Sequence, residues 1–223
     1  MPNTISTINP LASKEGPWIS CLYYLPPVDW FAMLVRQPAV TLEQMEHYQK
    51  GSFRNRCYIA GPNDVQRLSV PLVKGKHKQQ QVREVRIAYD EPWQLQHWRS
   101  ITTAYGRAPF FEHYGPQLQS FFEKRWDFLF DFNLALLVWT CKSLRIPFNY
   151  TLTDAYLLEY PPLCWDSRQA FIPDADPLVP VEYPQLFEDR HGFLSNLSIL
   201  DLLFCAGPEA QTYLRKGLHK IEI

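Results

Sequence analysis

The pattern of apolar and polar positions changes character along this chain. The first ninety residues carry short apolar blocks between turn residues, and the rest carries longer stretches with helical period. Ile19 to Leu25 is an aromatic and β-branched run closed by Pro26-Pro27, which predicts a buried strand. Asp29 is placed to cap a short helix through Val35, whose Trp30, Phe31, Met33 and Leu34 suit one packed face. Val40 to Leu42 reads as a second strand. Asn55 to Ile59 and Val65 to Val73 flank Gly61-Pro62-Asn63-Asp64, which predicts a β-hairpin. Lys74 to Gln81 is polar and basic and reads as an exposed loop. Val82 to Tyr89 reads as another strand, although Val82 to Val85 breaks strict alternation.

Beyond this point the period is helical. Pro92 suits the first turn of a helix running to about Tyr105, and Ala108-Pro109 breaks it. A second helix is expected from Pro109 or Phe110 to Glu123. A third, Phe128 to Leu144, is apolar almost all round, as a helix at the centre of a core is. The Pro-rich stretch from Pro161 to Pro184 predicts a long ordered loop over the domain, of a length often tied to function. Ser195 is the expected N-cap of a helix over Asn196 to Ala206, stopped by Gly207-Pro208, and Glu209 to Lys216 forms a last short helix. Residues 1–17 show no pattern and read as a loose arm before one domain over 18–223. The expected fold is α/β, with α+β as the alternative. A small central sheet of N-terminal strands and hairpin is packed by mid-chain and C-terminal helices.

Composition narrows the functional classes. With 223 residues the chain buries a sizeable core without staples. The 22 basic and 23 acidic residues nearly cancel, so neither nucleic acid nor a membrane is the expected partner. The basic run Lys74, Lys76, Lys78, Arg83 and Arg86 has few aromatics and reads as a solvated loop. The five cysteines form no CxxC pair and read as free thiols, which fits a reducing, cytoplasmic setting. No leader-like segment and no apolar run of membrane length is found. The six histidines make no HxH or HExxH pattern, so no metal is expected. The nine glycines make no phosphate loop, and no cofactor is implied. Cys164 with a distant His191 is too generic a pair to argue a nucleophile.

Two segments carry candidate chemistry. The first, His47-Tyr48-Gln49-Lys50-Gly51-Ser52-Phe53-Arg54-Asn55-Arg56, concentrates Lys50, Arg54 and Arg56. On a strand, Arg54 and Arg56 share a face, and two guanidinium forks there suit a phosphate or carboxylate. Gly51 and Ser52 can add backbone N–H donors. The plainer alternative is a solvated sheet edge with arginines paired to local acids. The second comprises Tyr183-Pro184-Gln185 and the helix bearing Ser195, Ser198 and Asp201, whose spacing puts the three near one helix face. The plainer alternative is capping by Ser195 and Ser198, with Asp201 exposed or paired to a basic residue.

Taken in order, these segments resemble the WbqC-like protein family. The resemblance rests on the aromatic opening strand, Asn55-Arg56, Leu68-Ser69-Val70-Pro71, Trp93, Tyr105, Ala108-Pro109, Tyr183-Pro184-Gln185 and Leu197-Ser198-Ile199-Leu200-Asp201-Leu202-Leu203-Phe204. One departure stands out: the family's His and Gln in the opening motif are absent from Cys21-Leu22-Tyr23-Tyr24-Leu25-Pro26-Pro27. The resemblance implies a mixed α/β domain. It also implies a link to bacterial surface polysaccharide, with transfer of a small acyl or aminoacyl group to a sugar. On that basis the ligand-binding candidates are Tyr24, Lys50, Arg54, Asn55, Arg56, Tyr183, Gln185 and Ser198. The acid–base candidates are His47 and Asp201, and the expected partner is a phosphate- or carboxylate-bearing small molecule. A non-catalytic binding or assembly protein of the same fold is the alternative.

Overall fold

The computed structural model describes residues 16–73, 80–173 and 175–219. Most of the predicted arm and most of the Lys74–Gln81 loop therefore lie outside the described residues. The structure is built on a four-stranded parallel sheet ordered β5-β2-β1-β6. β1 (Trp18–Cys21) leads through α1 (Val28–Arg36) to β2 (Ala39–Glu43), a β-α-β crossover with Trp18 opposite Val40 and Cys21 opposite Glu43. Strand β1 is buried along its whole length, as the centre of a sheet covered on both faces requires.

The hairpin was legible: β3 (Arg56–Ala60) and β4 (Val65–Ser69) pair antiparallel, and Gly61 accepts the turn by donating to the Asp64 carbonyl. It forms a separate two-stranded sheet rather than part of the central one. The strand expected over Val82 to Tyr89 is instead a 3-10 turn, Val82–Glu84, followed by single bridges from Arg86 to Phe128 and from Ile87 to Leu72. The broken alternation at Val82 and Val85 is the cause, since both side chains turn inward on one side of the tight turn and are buried.

Helices α2 (Trp93–Tyr105), α3 (Phe111–Glu123) and α4 (Leu129–Ser143) follow as expected. β5 (Asn149–Leu152) then joins the outer edge beside β2. The Pro161–Pro184 stretch is not merely a loop, because it contributes β6 (Trp165–Asp166) next to β1. Two residues suffice because they are fixed by side chains: the Trp165 ring stacks on Trp18 at 5.1 Å, and the Trp18 indole donates to Ser167 Oγ at 2.8 Å. A short helix α5 (Glu188–His191) precedes α6 (Ile199–Ala206) and α7 (Ala210–His219), the last packing against α1. Ser198, not Ser195, caps α6, with its Oγ accepting the Leu200 N–H. Asp29 lies in the first turn of α1, with Pro27 at the cap, and its Oδ2 accepts the Leu178 N–H at 2.9 Å. One contiguous cluster of buried side chains runs from Trp18 to Leu218. No helix among the described residues is long and apolar enough to cross a membrane.

Candidate functional site

Because all four strands run in one direction, their carboxyl ends lie along one edge. β2 and β5 sit on one side of β1 and β6 on the other, so the strand order reverses at the β1/β6 boundary. Ligands of open parallel sheets bind outside such a reversal, beyond the carboxyl ends. Here those ends carry Cys21, Glu43 and Asp166.

Two buried arginines complete the edge. Arg54 binds Glu46 through both oxygens, Nε to Oε1 at 2.7 Å and Nη2 to Oε2 at 2.6 Å. Both side chains are almost fully buried, at 2% and 3% exposure. The same Nη2 lies 2.8 Å from Cys21 Sγ. Arg168 grips Asp166 through two hydrogen bonds of 2.9 and 2.7 Å, donates to the Leu157 carbonyl at 2.9 Å, and reaches Glu43 at 3.5 Å. Its guanidinium lies 4.8 Å from the ring centres of both Tyr156 and Tyr160. Glu43 is also held by the Met45 N–H and the Thr153 hydroxyl.

The electrostatics follow from this burial. Burial pushes the Cys21 thiol well up against the pull of Arg54, so it is a thiol at neutral pH. It raises Tyr23 in the same way. Burial would draw the Arg54 pKa down, but its hydrogen-bonded Glu46 carboxylate opposes this and the guanidinium stays charged. The hydrogen bonds that Arg168 donates to the Asp166 carboxylate raise its pKa. Tyr48 is raised to about 12 by burial, opposed by Arg56 and Arg54.

Beside the Arg54–Glu46 pair opens a cleft of about 790 Å³, walled by residues Met45 to Lys50, Gln81 and Tyr156. The wall is held as an extended segment: Val82 donates to the Glu46 carbonyl, Tyr48 donates to the Gln80 carbonyl, and His47 bridges Gln81. Extended backbone alternates its side chains, so Glu46 and Tyr48 turn inward while His47, with Gln49 and Lys50 after it, stays exposed. Thus His47 and Lys50 line the cleft, and Glu46 is its buried carboxylate. Among the described residues no group of three or more His, Cys, Asp or Glu is placed to hold a metal ion.

The other candidates lie elsewhere. Arg54 precedes β3 in a turn, so it and Arg56 do not share a strand face. Asn55 donates to the Val70 carbonyl and accepts the Val70 N–H through its own carbonyl, tying the start of the hairpin to its end. Tyr24 is fully buried, with its hydroxyl 2.9 Å from His97 Nδ1. Gln185 clamps Leu194 through both ends of its amide, at 2.8 Å each, and donates to the Tyr183 hydroxyl at 3.2 Å. Asp201 is neither exposed nor paired to a base. It is fully buried near Tyr105, Tyr183 and Gln185, neither oxygen has a partner at hydrogen-bonding geometry, and burial pushes its pKa up to about 6. It does not line the cleft.

Glu43, Glu46, Asp166 and Arg168 escaped the sequence reading. Glu46 stands eight residues before Arg54 and was within reach as a local acid, but nothing in one dimension marks it as buried. Asp166 and Arg168 depend on β6, which a two-residue strand among prolines does not announce.

A family model described as the WbqC-like protein family matches residues 22–160. The uncharacterized protein Rv1507c of Mycobacterium tuberculosis is 28% identical over 222 residues, covering 86% of this chain and 94% of its own. No solved structure matches the chain.

Proposed function

Starting from the premise that the chain belongs to the WbqC-like protein family, we propose that it is a group transferase whose donor, an activated sugar or acyl compound, occupies the cleft beyond the sheet. The link to bacterial surface polysaccharide comes with the family likeness. The observation that carries the reading is the cleft itself: His47 and Lys50 are exposed on its wall, and the buried Arg54–Glu46 pair stands behind them. Lys50 supplies the cation for a phosphate or carboxylate of the ligand. His47 is the group free to exchange a proton there, since a base needs hydrogen-bond reach to its substrate. The Arg54–Glu46 pair acts by holding the wall, because a carboxylate bound at both oxygens makes a poor base.

The test is a thermal-shift screen of wild type, Lys50→Ala and His47→Ala against nucleotide sugars, acyl-CoAs, amino acids and simple phosphates. A ligand at about 100 times its Kd adds about 2.7 kcal/mol. The expected hit is lost in Lys50→Ala, whereas His47→Ala keeps the shift and loses turnover. A hit indifferent to both variants removes the cleft from consideration.

A second reading, a non-catalytic binding or assembly protein of this fold, is favoured by one observation. Leu158, Leu163 and Ile172 stand exposed on the segments flanking β6, with Leu158 at 80%. Sedimentation of wild type against Leu158→Ser/Leu163→Ser tests it, since an assembly role requires the variant to lose self-association or a co-purifying partner.

A further inference from the structure

The hairpin β3–β4 has two faces of different chemistry. Cys57, Ile59 and Leu68 turn inward and are buried. On the outer face the register sets Arg56 opposite Ser69 and Tyr58 opposite Arg67. Arg56 and Arg67 are therefore diagonal neighbours on one side of the hairpin, roughly 7 Å apart at Cβ, with Tyr58 beside both.

These arginines differ from the two buried ones. Arg54 and Arg168 are each held by carboxylates. Among the described residues, neither Arg56 nor Arg67 meets a carboxylate within 4.0 Å. The Nε of Arg56 is buried and has no hydrogen-bond partner. Two cationic residues on diagonal positions disfavour each other, and a buried N–H without an acceptor costs free energy. An anion with several oxygens relieves both.

Next to Arg67 lies a cavity of about 470 Å³, lined in part by Phe53, Tyr58, Asp176, Ser195 and Asn196. Asn196 donates to the Ala175 carbonyl through Nδ2, and its Oδ1 has no partner. Ser195 is exposed. Asp176 disfavours negative charge at its end of the cavity, which leaves that end to a neutral, hydroxyl-bearing group.

We propose that the outer face of this hairpin binds a phosphate-bearing small molecule, its phosphate between Arg56 and Arg67 and its hydroxyl-bearing body over Tyr58 toward Ser195 and Asn196. The cavity beside Arg67 shares no lining residue with the cleft holding His47 and Lys50, while Arg56 lies within electrostatic reach of Tyr48 in the wall of that cleft. A small molecule is favoured over a polynucleotide because the chain is not basic overall, at net charge −1, and an acidic residue, Asp176, lines the cavity.

The experiment is titration of the full chain with inorganic phosphate and with a hexose monophosphate at fixed ionic strength. It is read by calorimetry and by the arginine Nε–H signals in NMR. The expected result is saturable binding with a shift of the Arg56 Nε–H signal. Affinity falls tenfold or more in Arg67→Ala and in Arg56→Gln and stays within twofold in Lys142→Ala, an exposed lysine of α4. Arg67 is exposed, so Arg67→Ala keeps the test open if Arg56→Gln misfolds. The proposal is overturned by no saturable binding, by loss in Lys50→Ala with Arg67→Ala unaffected, or by binding of single-stranded DNA that Arg67→Ala abolishes while neither small phosphate binds.

Discussion

Arg54 closes on Glu46 with both of its forked nitrogens, at 2.7 and 2.6 Å, in a place where each side chain is nearly shut off from solvent. The pair ties the cleft wall to the turn before the hairpin, and Asn133 fixes the same turn by donating to the Arg54 carbonyl at 2.7 Å. Removing one partner leaves the other charged and buried. Glu46→Ala or Arg54→Ala is therefore expected to cost about 3–5 kcal/mol. The double variant Glu46→Leu/Arg54→Met is expected to be more stable than either single variant. Urea denaturation of these proteins measures this, and additive losses in a cycle of wild type, Glu46→Leu, Arg54→Met and the double variant would contradict it.

Tyr24 and His97 make a second buried contact. Burial holds the His97 pKa down to about 4, partly offset by the backbone of Ser69. A folded pKa below the unfolded 6.5 means that unfolded chains take up the proton first. Stability is thus full above about pH 6.5 and lost as the pH falls toward 4, on the order of 3 kcal/mol in total. NMR titration should find the ring neutral at pH 5.5. Tyr24→Phe, which takes away the partner of Nδ1, should cost about 1–3 kcal/mol.

Asp201 has the opposite sign. Its pKa is raised from 3.8 to about 6, so the folded state holds the proton more tightly. The group weakens the fold above about pH 6, and that penalty disappears as the pH drops below 4. Relative to Asp201→Asn, wild type should gain on the order of 3 kcal/mol between pH 7.5 and pH 4. Thermal denaturation of both proteins across this range checks it, and a constant difference would refute it.

Gly207 ends α6 at φ +50°, and a Cβ there would stand 2.5 Å from the Phe110 ring. Backbone conformation and ring both oppose a side chain. Gly207→Ala should lower stability by about 1–3 kcal/mol, seen as a fall in Tm. Phe110→Ala/Gly207→Ala should show no further penalty from the ring contact, leaving only that of the backbone and of the lost aromatic.

The sequence by itself determined the local elements: α1 to α4, the hairpin with its turn, and the stop at Gly207-Pro208. Each depends on neighbours within a few positions, whether a period, a cap or a turn residue. It also marked the His47–Arg56 segment, because basic residues crowded beside aromatics stand out in one dimension. Only the tertiary structure decided which cations are free. Arg54 and Arg56 are two apart in sequence, yet a turn sends one into a buried pair with Glu46 and the strand register sets the other diagonal to Arg67. The tertiary structure also decided the carboxyl edge of the sheet. β6 has little strand character of its own, and it pairs with β1 because Trp165 stacks on Trp18 from 147 positions away. Long-range packing of that kind leaves no local pattern, since the free energy that fixes it comes from surfaces meeting only after the chain has folded.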